Sequence, residues 1–214
     1  MTTGMPKQSL AELVAPARTA VVTMELQRGV IGDLAMMGAL REAAIERGAL
    51  EGAARLARAA HLAGVRLVHC TAEGRPDRAG SKANCRILAQ AAKAPLDQQL
   101  VTGSDRAQLI PELEYDPDRD ILVPRGHGMT PFTSTSLDQI LRNLGVTTIV
   151  ASGVSVNIGL LGMTLSAMDL GYQVVVPVDA VAGVPNEYAE QVIENTIAYV
   201  ATLCGVADIE SAWK

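Results

Sequence analysis

A carboxylate, a cation and a glycine-bearing turn stand where apolar runs end in this 214-residue chain. Glu25 follows the run at 18–24, Arg125 and His127 follow 121–123, and Ser155, Asn157 and Gly159 follow 148–151. Together such groups can hold a small anionic molecule and deliver a proton to it. An isolated carboxylate placed directly after a buried strand is costly, which favours a working role for Glu25. Arg125 suits either a catalytic cation or a simple partner for Glu25 or Asp120. His127, between two glycines, reads first as a loop anchor. Asp179 reads as a turn cap, and Cys70 as a small apolar core residue.

The hydrophobic pattern supplies the elements that position these residues. RTAVVTM at 18–24 is a β-branched run of the kind found in strands buried on both faces. VRLVHC (65–70), 121–123, 148–151 and QVVVPV (173–178) read as further strands. An Ala-rich helical region precedes Gly64, which stops it, with a break near Gly48. Other helices are expected near 10–14, over 85–95, from Thr135 or Ser136 to Gly145, after the 152–155 turn, and from Pro185 and Asn186 to about Thr202. A polar loop is expected at 73–84, irregular chain at 97–118, and a short edge strand at VADIES, 206–211. Alternating strands and helices predict one α/β domain over 1–214. Its form is three-layer and Rossmann-like, a mainly parallel sheet covered by helices on both faces. Right-handed crossovers in such folds place functional loops at the carboxyl ends of the strands.

A formal net charge of -5 argues against nucleic acid, which selects for basic surfaces. With aromatics at 3%, the core must be built from Ala, Val, Leu, Ile and Met. Cys70, Cys85 and Cys204 have no C-x-x-C spacing, so a reduced, cytoplasmic chain is expected. The opening MTTGMPKQSL lacks the apolar segment of a signal peptide, and charged residues interrupt every candidate membrane span. The expectation is a small-molecule substrate, no membrane partner, no metal and no cofactor, with room for a homo-oligomer.

VVTMELQRGV, ILVPRGHGMTPFTSTSLDQILRNLGV and TTIVASGVSVNIGLLGMTLSAMDLGYQVVVPVDAVAG together resemble the isochorismatase-like hydrolases, also called the cysteine hydrolase superfamily. The likeness runs from about residue 19 to 200. It implies a Rossmann-like fold, frequent oligomers, and a cis peptide falling at Val154-Ser155. It also implies a triad of aspartate, lysine and cysteine, at whose positions this chain carries Glu25, Arg125 (with His127 as rival) and Gly159. Phe132, Val154, Ser155, Asn157 and His127 are then the candidate substrate-binding residues. No thiolate stands at 159, so covalent attack on an amide lacks its agent. The resemblance instead implies a hydrolase that cleaves a vinyl ether of isochorismate type, with Glu25 as the general acid and water completing hydrolysis to pyruvate. The alternatives are a catalytically degenerate member that binds a small molecule or a protein, and a cysteine hydrolase that uses Cys70.

Overall fold

The computed structural model describes residues 8–214, and residues 1–7 of the opening stretch lie outside the described residues. The strands are β1 (Thr19–Met24), β2 (Arg66–Ala72), β3 (Ile121–Arg125), β4 (Thr148–Val154), β5 (Gln173–Pro177), β6 (Val181–Ala182) and β7 (Thr202–Cys204). They form one seven-stranded sheet in the order β3-β2-β1-β4-β5-β7, with β6 beside the end of β4. Every pairing is parallel. The chain steps outward from β1 through β2 to β3, then returns to the other side of β1 as β4. That reversal opens a crevice at the carboxyl ends of β1 and β4, the usual ligand position in such sheets.

The helices are α1 (Leu10–Leu13), α2 (Gly38–Glu46), α3 (Ala49–Ala63), α4 (Arg86–Ala91), α5 (Leu137–Asn143), α6 (Leu161–Asp169), α7 (Asn186–Val192), α8 (Ala198–Val200) and α9 (Val206–Ala212). They produce two cores, one on each face of the sheet. On one face Val21, Leu67, Val150 and Val175 pack with Leu56, Ala57 and Ala60 of α3 and with Val206 and Ile209 of α9. On the other, Val22, Val68, Ile149 and Val176 pack with Leu137 and Leu141 of α5 and Met163 and Ala167 of α6. Each fully buried leucine in these layers stabilises the fold by roughly 1.5–3 kcal/mol. The three-layer α/β architecture read from the sequence is the architecture found.

Local chemistry explains the element ends. Gly48 and Gly64 have φ of 69° and 71°, the left-handed conformation that separates α2 from α3 and closes α3. The Thr135 hydroxyl accepts the Leu137 amide at 3.1 Å, so Thr135 supplies the first acceptor at the start of α5. α3 approaches the turn after β5 so closely that a Cβ at Gly52 would lie 1.9 Å from the Asp179 carbonyl oxygen.

Two expectations need correction. VADIES is not a strand but the helix α9. The Gly205 and Val206 amides donate to Asp208 and Asp179, both at 2.8 Å, and Val206 and Ile209 bury at helical spacing. The edge strand is instead β7, where Ala201 turns extended and ends the preceding helix. Arg125 belongs not to a loop but to the last position of β3, paired with Ala72. Pro124 is tolerated beside it because β3 is an edge strand.

Candidate active site

Glu25 leaves the wholly buried β1 with φ of 51°, and its amide donates to the Cys70 carbonyl at 2.9 Å. A non-glycine residue in that conformation stores strain of order 1–3 kcal/mol, a cost found most often at working sites. The turn is held by Gln27, fully buried, whose side-chain amide donates to Ala72 and Ala107 carbonyls at 3.1 and 2.8 Å. Its oxygen accepts the Ala72 amide at 2.7 Å, so the end of β1 is bound to the end of β2.

Arg125 reaches across from β3 and donates to the Glu25 carboxylate through Nη2. Its Nε donates to the Gly128 carbonyl at 2.9 Å, which locks the guanidinium in place. The Arg125 side chain is 2% exposed and that of Glu25 21%, so the pair presents its acid to the outside and buries its cation. Arg125 Nη1 is buried with no partner. Of the two rivals for the cation position, Arg125 is the one against Glu25. The hydrogen bonds of His127 go to its own loop and the neighbouring one. Its Nδ1 accepts from the Lys82 amide at 3.4 Å, and its carbonyl accepts from the Ser134 hydroxyl at 3.0 Å.

Gly159 comes from beyond β4, on the other side of β1 from Arg125, and lies against Met24, the residue before Glu25. It lies in a π-helical turn, Val156–Leu160, that leads into α6. The turn begins after a cis peptide between Val154 and Ser155. Ser155 donates its hydroxyl to Asn157 Oδ1 at 2.5 Å, and Asn157 Nδ2 donates to the Val184 carbonyl at 3.4 Å, so both polar side chains serve the turn. Val154 is buried at the end of β4. Phe132 stacks at a tilt 6.0 Å from Tyr172, on the α5 side of the sheet. A Cβ at Gly159 would lie 2.7 Å from Met24 Cε. Met24 was not among the residues that sequence reasoning singled out, although its place directly before Glu25 in an alternating strand puts it on this face.

Cys70, opposite Met24 across the β1–β2 ladder, is fully buried. Burial pushes its thiol up to about 12; Arg125 pulls the other way and Glu25 adds to the rise. Asp179, read as a turn cap, accepts the Val206 amide. On the opposite face of the sheet a polar chain that the sequence did not reveal runs through the core. The Thr23 hydroxyl meets His69 Nδ1 at 2.8 Å, His69 Nε2 faces Asp120 at 3.8 Å, and Asp120 meets His61 Nε2 at 2.8 Å.

Clefts of about 380 and 610 Å³ lie to the β3 side, with Glu73 at the border of both. Neither is lined by Glu25, Arg125 or Gly159, so the site is placed by its chemistry and by the topological switch, not by size. Among the described residues no cluster of His, Cys, Asp and Glu is placed to hold a metal ion. No helix there is long and apolar enough to cross a membrane.

Comparison with known proteins places the fold. An uncharacterized isochorismatase family protein, YwoC of Bacillus subtilis (strain 168), is 33% identical over 107 residues. That match takes in 48% of this chain and 56% of the relative, so the chain spans about half the length of the curated relative it matches. An isochorismatase family protein from Burkholderia thailandensis has the same fold, with a TM-score of 0.72 and 24% identity over 92% of this chain and 96% of that one. A cysteine hydrolase from Pseudomonas syringae pv. phaseolicola 1448A gives a TM-score of 0.77 and 21% identity over 94% of each chain. The isochorismatase domain model matches residues 19–208, from the first strand to the last helix. The chain belongs to the isochorismatase family.

Proposed function

We propose that the protein hydrolyses a vinyl ether of isochorismate type by general acid catalysis, with no covalent intermediate on a cysteine. The observation that carries this is the pairing of a partly exposed Glu25 with a buried Arg125, where position 159, packed against the preceding Met24, has no side chain. Glu25 protonates the terminal carbon of the vinyl ether. The resulting oxocarbenium ion takes up water, and the hemiketal collapses to pyruvate and the alcohol. A substrate carboxylate can engage the guanidinium, whose Nη1 has no partner among the described residues and is a donor to spare for such a group. Catalytic roles thus fall to Glu25 and Arg125, with Gly159 supplying no side-chain nucleophile. Substrate contacts fall to His127, Phe132, Val154, Ser155 and Asn157.

A second reading, a binding module without turnover, draws on the burial of Gly159 and on clefts lined by none of Glu25, Arg125 and Gly159. A lactate dehydrogenase-coupled assay for pyruvate release separates the two. Under the hydrolase reading, wild type turns over and Glu25→Gln lowers kcat at least about 10²-fold, the lower range for a general acid. Turnover untouched by Glu25→Gln removes Glu25 from the mechanism, and no turnover in wild type selects the binding module. The proposal extends to a homo-oligomer in the cytoplasm acting on a small molecule. It draws on three unpaired cysteines and on apolar side chains exposed near the site.

A further inference from the structure

The glycine at 159 has a physical counterpart in β1. Met24 is fully buried, and its terminal methyl stands 2.7 Å from where a Cβ on residue 159 would begin; its Cγ stands at 3.5 Å. Real side chains essentially never come that close, so the two cannot coexist without one moving. The strand is held by parallel ladders on both sides, Met24 pairing with Cys70 of β2 and with Gly153 of β4. Only the thioether end can swing. The Met129 carbonyl oxygen, 3.5 Å from the same point, narrows the remaining space.

We infer that Met24 is a specificity-determining residue of this site: its thioether fills the seat of a side-chain nucleophile at 159 and so commits the site to chemistry without one. The inference rests on reading Glu25, Arg125 and Gly159 as the reaction centre, and its test needs no substrate. A side chain placed at 159 would begin against the end of the Met24 thioether, beside the Met129 carbonyl oxygen. Met24 must swing its thioether end aside before a thiol at 159 has room. A flexible, unbranched thioether suits the task because it fills an irregular gap left by a missing side chain.

The experiment is a cycle of Gly159→Ala and Gly159→Cys, each made in the wild-type and Met24→Ala backgrounds, with Cys85→Ser throughout to remove the exposed thiol. Overpacking a filled core lowers Tm, here by at least about 2 °C for either substitution beside Met24. In the Met24→Ala background the same substitutions cost nothing or restore stability by filling the cavity, a non-additivity that contact between the two positions requires. Gly159→Ala keeps the cycle readable if the cysteine variant does not fold beside Met24. The second readout is alkylation by iodoacetamide of the thiol that Gly159→Cys introduces, followed by intact mass, which mere packing would not move. It is expected to run at least about 10-fold faster with Met24→Ala than with Met24 present. Equal Tm losses in both backgrounds overturn the steric claim. Equal alkylation rates, including none in either, reduce Met24 to a packing residue and overturn its assignment. Failure of the pyruvate assay leaves these readouts unchanged, so the two proposals fall separately.

Discussion

Burial pushes both Cys70 and Cys204 up to about 12, Cys204 with help from Asp208 and Asp179. At neutral pH neither holds an appreciable thiolate, the form that attacks carbon. Iodoacetamide on the folded protein is therefore expected to label the exposed Cys85 and to spare Cys70, with pyruvate release intact after labelling and in Cys70→Ser. Peptide mapping checks this; label on Cys70 in folded protein together with lost turnover would restore the thiol reading. Glu25, Arg125 and Gly159 were legible because each lies at or soon after the carboxyl end of a strand. Strand periodicity put Met24 on a known face, but not the end of its flexible side chain against Gly159. Nor could it choose between Glu25 and Asp120 as the partner of Arg125, since that choice depends on how a long side chain leaves β3. In the fold Arg125 takes Glu25, and Asp120 takes His61.

Asp120 ties α3 to the start of β3 through His61 and stands over His69 of β2. Burial by itself would raise its carboxyl, but His69, the Asp116 amide and His61 together pull harder and hold it at about 2. A carboxyl lowered in the fold stabilises above its unfolded value, near 3.9, and that stability drains away as pH falls through about 2. The contribution is on the order of 2 kcal/mol at neutral pH. Urea unfolding of Asp120→Asn against wild type is expected to show a gap of that order at pH 7 that shrinks between pH 4 and 2. A gap constant over that range would mean that the ionised form of Asp120 does not act as the tie. This cross-element chain escaped the sequence because His61, His69 and Asp120 are distant in number and meet only when α3 folds back on the sheet. Long buried strands were legible from composition alone. The last segment was not: VADIES is short enough to satisfy either period, and Asp179, distant in sequence, supplies the acceptor that favours helix.

Ile158, Leu165 and Met168 are 39%, 37% and 39% exposed along the outer side of the π-turn and α6, next to Gly159. The proposed homo-oligomer is expected to sediment at twice 22.5 kDa or more, and Leu165→Glu to shift it toward the monomer. A wild-type monomer at micromolar concentration would sink the proposal. The arrangement of the sheet bears on a different matter, the making of the protein. β1 pairs on one side with β2, translated soon after it, and on the other with β4, translated far later. Glu25 thus leaves the ribosome early and waits beside an open strand edge, while the turn that faces it is still unwritten. Pairing across such a separation is the slow kind, since much chain must be ordered before any contact forms. Through that interval the central strand of the molecule is also its edge, with apolar Val and Ala residues uncovered. A message cut between β3 and β4 yields a chain that carries Glu25 and its arginine, lacks β4 and the turn with Gly159, and offers β1 to any other nascent strand nearby.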